Sequence, residues 1–219
     1  MSILILGAHP DDPDSGAGGL MAILSERGHN VSAVSFTKGE LTGRMGSVEE
    51  NGKRNMEEAL QAFKLLGAEV VFLDFMDGAM WPTNEAVGKV KDLIEAHGPT
   101  LILTHWPVDT HPDHRAVGVM TISAIQRLKI DLKPSLHFYE VMSGIQSRCF
   151  IADTYIDVSE KAEIKKKACY AHRNCNPDSW YPVHEKMMEF RGLEMGVRYA
   201  ETFVAFSKSE SSKLKILME

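Results

Sequence analysis

The sequence predicts an α/β protein: a Rossmann-like open, mostly parallel sheet with helices on both faces. Short aliphatic, β-branched runs alternate with stretches of helical periodicity over the first 130 or so residues. Two of those helical stretches stop at glycine, Gly67 and Gly98. Parallel strands joined by crossover helices then imply an open α/β sheet, since right-handed crossovers are the economical way to connect them. A chain of 219 residues with 44% hydrophobic and 25% charged residues suits one domain over residues 1–219.

Taken in order, "SILILGA" is the first strand, followed by a helix near Ala17 to Glu26 and a second strand, "VSAVSF". The next helix, Glu49 to Leu66, is expected to bury Met56, Leu60, Phe63 and Leu66. "VVFLD" is a third strand, Asn84 to Ala96 a helix, "TLILTH" a fourth strand, and Pro112 to Leu128 another helix. The last third is less regular, with strands in "SLHFYEV", "TYIDV" and "ETFVAF" and helices over Ser159 to His172 and His184 to Tyr199. Two long connections, Thr37 to Glu49 and Asn174 to Pro182, have the length of lids or surface excursions. The polar tail from Ser207 is expected to fray.

A net charge of −6 offers no field for a polyanion, which argues against nucleic acid as a partner. The basic run Lys165 to Lys167 reads as the solvated face of a helix. Three cysteines, Cys149, Cys169 and Cys175, form no CxxC pair and no even disulfide framework, so they are expected to be packing residues in a reducing, cytoplasmic compartment. No apolar stretch approaches a membrane span, and no basic leader precedes "ILIL". A soluble protein with no membrane partner is expected.

Two segments carry the chemistry. "AHPDD" follows the first strand and "THPDH" follows the loop after the fourth. In a sheet of order 3-2-1-4-5 those strands are neighbours, and the crevice at their carboxyl ends is where ligands bind. Together the segments supply His9, Asp11, Asp12, His111, Asp113 and His114, a nitrogen and oxygen set suited to a divalent metal such as Zn²⁺. Three ligands suffice for a catalytic ion that lowers the pKa of water, which leaves others for a base and an oxyanion donor. One His-Pro-Asp alone is usually a turn with a helix-capping aspartate. Another metal-assisted small-amide hydrolase is one competing reading, and the glycines Gly16, Gly18 and Gly19 allow a second, a non-catalytic nucleotide-binding module, although three nearby aspartates would repel a phosphate.

"AHPDD", "RNMEEALQAFKLLGA", "HPDH" and "RYAETF" resemble the LmbE-like, or PIG-L, family of zinc-dependent de-N-acetylases over nearly the whole chain. The resemblance implies hydrolysis of an N-acetyl group, usually on a glucosamine-type sugar or conjugate, with a homo-oligomer as one option. Carried onto this sequence, it implies His9, Asp12 and His114 as zinc ligands and Asp11 as general base. It implies that His111, paired with Asp113, stabilises the transition state or supplies a proton, the carboxylate favouring the charged imidazole. It also implies Arg54, Glu40 and Asp77 as sugar contacts. Two departures stand out: Pro13 replaces the family's usual Glu after HPDD, and "HRNC", His172 to Cys175, replaces His-x-Ser-Gln.

Overall fold

The computed structural model describes residues 1–43, 46–142 and 144–207. Its elements run β1 (Ser2–Gly7), α1 (Asp12–Glu26), β2 (Asn30–Ser35), α2 (Val48–Leu65), β3 (Glu69–Phe72), α3 (Asn84–His97) and β4 (Leu101–His105). They continue α4 (Pro112–Gln126), β5 (Ser135–Tyr139), β6 (Thr154–Asp157), α5 (Ala162–Cys169), α6 (Tyr181–Met195) and β7 (Ala200–Ala205). The seven strands form one sheet of order β3-β2-β1-β4-β5-β7-β6. The first five are parallel, as the alternating pattern predicts, and β7 and β6 add an antiparallel edge. All but the first residue of the expected polar tail lies outside the described residues.

Strand alternation divides the core. Ile3 and Ile5 of β1 face one cluster with α1, α2 and α5, whereas Leu4 and Leu6 face another with α3 and α4. Helices therefore cover both faces. Both ends of α3 follow local rules: the Thr83 hydroxyl receives the Ala86 N–H, and Gly98 closes the helix in the left-handed region at φ 52°.

Helix α2 departs from the expected face. Leu60 is exposed, and the buried side is Asn55, Glu58, Ala59, Ala62, Phe63 and Leu66. The polar half of that side is satisfied by the Asn174 segment, whose N–H donates to Glu58 (2.8 Å) and whose side-chain amide donates to Asn55 (2.7 Å). An apolar count cannot find a helix face whose partners are polar.

Helix α1 begins earlier than expected and is broken at Ala17 (φ −145°, ψ 21°). The break opens backbone groups on both sides, and two distant side chains satisfy them. Lys165 of α5 donates to the Ser15 carbonyl (2.7 Å) and to Glu201 (2.7 Å), while Glu201 of β7 accepts the N–H groups of Gly19 (2.7 Å) and Leu20 (2.8 Å). Lys165 is thus fully buried, against the expectation of a solvated basic run. The glycines serve packing: a Cβ on Gly16 would lie 2.3 Å from the Tyr139 ring, and one on Gly19 2.7 Å from Val158. Because Glu201 already takes the Gly19 and Leu20 amides, the glycine turn offers no phosphate cradle there.

Candidate active site

Strands β1 and β4 pair in parallel from Ile3–Leu101 to Leu6–Thr104, so both His-Pro-Asp segments leave the sheet at the point where strand order reverses. The two segments meet. His9 Nδ1 lies 3.2 Å from Asp12 Oδ2, and His114 Nε2 lies 3.3 Å from Asp12 Oδ1. His9, His111 and His114 also offer ring nitrogens within 4.8 Å of one another.

The outer faces of the two rings are held by carboxylates. His9 Nε2 faces Asp77 (3.2 Å) and Asp113 (3.5 Å), and His114 Nδ1 faces Asp109 (3.3 Å). Each imidazole is thereby oriented with its other nitrogen toward Asp12, and a carboxylate behind the ring is the usual partner of a metal-binding histidine. His114 Nε2 is buried, with the Asp12 carboxylate beside it. Burial disfavours charge on His114, yet Asp12 and Asp109 outweigh it and raise its pKa to about 9. Burial likewise opposes charge on His9, and Asp12, Asp113 and Asp77 raise it well above its ordinary value. Surroundings that draw a proton so strongly fit a cation in the same place, and the groups that could hold one among the described residues are His9 with His111 and His114, Asp12 with His105 and His114, and His9 with Asp77 and Asp113.

Asp11 occupies the N-cap position of α1 but makes no capping hydrogen bond. Its carboxyl lines the cavity, and burial together with the Asp12 charge raises its pKa. A basic oxygen is therefore available beside the ligand set. His111 caps α4 instead: its Nδ1 accepts the Asp113 N–H (3.3 Å), which places the proton of the neutral ring on Nε2. Its ring stacks on His114 at 4.6 Å.

Several expected contacts lie elsewhere. The Asp113 carboxylate does not pair with the His111 ring; it accepts Gly78 N–H (2.7 Å) and Met80 N–H (3.3 Å) and so pins the β3–α3 loop. Burial, with the His114 and His9 charges, lowers the His111 pKa, which favours a neutral ring over the expected charged one. Arg54 is drawn away by Glu58 (2.8 Å) and Glu57 (3.7 Å). Glu40 accepts the Lys38 and Asp77 N–H groups (both 3.2 Å), and Asp77 accepts the Leu41 N–H (2.9 Å). These two join the loops after β2 and β3, and none of the three expected sugar contacts lines the cavity.

The cavity has a volume of about 210 Å³. Besides the histidines and Asp11, its walls include Gly39 and Thr42 on one loop, Val141, Met142 and Gln146 on another, and Cys175, Trp180 and His184. Cys175 is thus not simply a packing residue, and Cys149 is exposed. At Pro13 the following aspartate supplies the buried carboxylate: Asp14 meets His172 Nε2 at 3.1 Å, both fully buried. Sequence reasoning missed Asp109 and His105. The latter ends β4, receives the Ala8 N–H (3.1 Å) and stacks on His114 at 4.0 Å; a histidine closing the apolar run "LILTH" is the signal that could have flagged it.

Residues 4–125 match the PIG-L family, described as GlcNAc-PI de-N-acetylase. The chain belongs to the PIG-L family. This PIG-L chain is 27% identical over 218 residues to the diacetylchitobiose deacetylase of Thermococcus kodakarensis, covering 91% of this chain and 80% of that one. Its fold matches the N,N'-diacetylchitobiose deacetylase of Pyrococcus horikoshii, with a TM-score of 0.84, 23% identity and coverage of 94% and 83%. It also matches the 4-carboxy-2-hydroxymuconate hydratase of Pseudomonas putida, with a TM-score of 0.83, 21% identity and coverage of 94% and 96%. The PIG-L fold therefore carries more than one reaction, and the side chains must decide between them. Among the described residues of this PIG-L protein, no helix is long and apolar enough to cross a membrane.

Proposed function

We propose that this protein is a zinc-dependent hydrolase that removes the acetyl group from an N-acetylated amino sugar of the N-acetylglucosamine type. One observation carries the reading: His9, Asp12 and His114 converge from two loops, with the uncapped Asp11 carboxylate beside them. The deacetylase activity named for the Thermococcus relative supports the reaction class. A metal at these three residues supplies Lewis acidity toward the amide carbonyl and makes water nucleophilic at neutral pH.

The chain's own residues do the rest. Asp11, its pKa raised by burial and by the Asp12 charge, takes the proton released by the attacking water and returns it to the departing amine. His111, neutral and protonated on Nε2, donates a hydrogen bond to the carbonyl oxygen as negative charge develops there. Asp77, Asp113 and Asp109 hold the His9 and His114 rings with their other nitrogens toward the Asp12 carboxylate.

Zinc content and acetate release from N-acetylglucosamine and diacetylchitobiose test the reading together. About one Zn²⁺ per chain with acetate released is the expected result. A metal-replete protein that releases no acetate from N-acetylated sugars refutes the deacetylase, and hydration of an unsaturated acid would then be the reaction to assay.

A further inference from the structure

Asn55 is a buried amide in the middle of α2, 1% exposed, and every hydrogen-bonding position it has is taken. Its Nδ2 donates to the Gly39 carbonyl (2.7 Å) and to the Thr42 carbonyl (3.0 Å). Its Oδ1 accepts the Asn174 side-chain amide (2.7 Å) and the Cys175 thiol (3.8 Å). Two donors and two lone pairs are the whole capacity of a carboxamide.

The groups it gathers belong to the catalytic cavity, since Gly39, Thr42 and Cys175 line it together with Asp11. They come from two connections far apart in the chain, one between β2 and α2 and the other between α5 and α6. Gly39 stands in the left-handed region at φ 61°, and a Cβ there would lie 3.0 Å from Pro10 Cδ. The turn therefore rests on the residue that precedes Asp11.

A buried amide carries a desolvation cost that an apolar side chain of the same size avoids. Holding each connection to the fold does not require that amide. The Asn174 segment has its own ties to α2, through Glu58 (2.8 Å) and Asn51 (3.2 Å), and the turn closes on itself from the Thr42 N–H to the Gly39 carbonyl (3.0 Å). What Asn55 adds is a single rigid group bonded to both at once, at the points where both reach the cavity.

We infer that Asn55 is a positioning residue for the hydrolysis, its carboxamide joining the Gly39–Thr42 turn to the Cys175 segment so that they form one wall of the cavity beside Asp11. The inference rests on the deacetylase reading for the reaction that takes place at this wall, and the wall itself is tested without it.

Two variants take the wall apart differently. Asn55→Asp keeps the shape and the oxygen that serves Asn174 and Cys175 but replaces the donor that serves the turn. Asn55→Leu keeps the size and removes every hydrogen bond. The zinc-loaded proteins are treated with iodoacetamide, and alkylation of each cysteine is followed by peptide mass spectrometry. Burial pushes the Cys175 thiol pKa up, so the thiol should react slowly in the parent and faster once the wall opens to water. Cys175 alkylation should rise about tenfold in Asn55→Leu and stay near parental in Asn55→Asp. Cys169, fully buried, should stay unreactive and so report an intact fold. On N-acetylglucosamine, KM should rise about five- to tenfold in both variants with zinc content unchanged, whereas mere loss of folded protein lowers kcat and leaves KM where it was. Parental Cys175 reactivity in a folded Asn55→Leu protein, or a parental KM in both variants, overturns the assignment. If Cys169 becomes reactive in Asn55→Leu, Asn55→Asp decides: a raised KM supports the assignment and a parental one overturns it. If the parent releases no acetate, the deacetylase reading fails and the Cys175 alkylation rates decide the wall alone.

Discussion

Asp109 Oδ1 lies 3.3 Å from His114 Nδ1, on the edge of the imidazole opposite the nitrogen that faces Asp12. The carboxylate is itself fixed, because Oδ1 accepts the His111 N–H (2.8 Å) and Oδ2 accepts the Ser147 hydroxyl (3.0 Å). One residue therefore orients the His114 ring and anchors the His111 segment that leads into it.

Replacing Asp109 by Asn keeps the size and removes the charge behind His114. Zinc affinity should fall about 10- to 100-fold, as for other outer-shell partners of metal-binding histidines. Competition with a chromophoric chelator measures it. Unchanged affinity would show that His114 is oriented by packing alone.

Asp11→Asn isolates the base from the metal. The side chain makes no capping hydrogen bond, so the helix should survive the change. Zinc should be retained, and kcat should fall by roughly 10²- to 10⁴-fold with little change in KM. A zinc-replete variant with parental turnover would remove Asp11 from the chemistry.

The Lys165–Glu201 pair should behave as a buried ion pair whose halves depend on each other. Glu201→Gln leaves the ammonium without its counter-charge and should cost about 3–5 kcal/mol in urea unfolding. Lys165→Met with Glu201→Gln should be less destabilised than the sum of the single changes, because neither charge is then stranded. Simple additivity would mean that the pair is not coupled.

His172 carries a pH signature. Burial disfavours its charge, but the Asp14 carboxylate beside it outweighs burial and raises its pKa above the ordinary 6.5. A group whose folded pKa is raised stabilises the fold fully below the unfolded value and loses that contribution as pH rises through the folded one. The Tm difference between the parent and His172→Gln should therefore be largest below about pH 6.5 and shrink in alkaline buffer. A difference that grows with pH would reverse the sign assigned here.

The central site was legible because its residues sit at two strand ends, and the sheet order that joins those ends follows from the alternation of strands and helices. What surrounds it was not. Asp109 and His105 act through the faces they turn to His114, which no spacing encodes. Lys165 looked like one of three solvated lysines because the broken carbonyl it serves lies 150 residues away. The same distance effect hid the buried side of α2, where Asn55 and Glu58 meet the Asn174 segment. Arg54, expected as a sugar contact, has a glutamate one helical turn along and pairs with it instead of lining the cavity.

Glu201 stands 182 residues from the amide of Gly19 that it holds. All six residues of the two His-Pro-Asp segments are translated long before it. During synthesis the break in α1 thus stays unsupported until β7 is made, and the contact that sets it is among the most non-local of those described. A chain stalled before β7 leaves the Gly19 and Leu20 amides without the carboxylate that holds them once the sheet is complete.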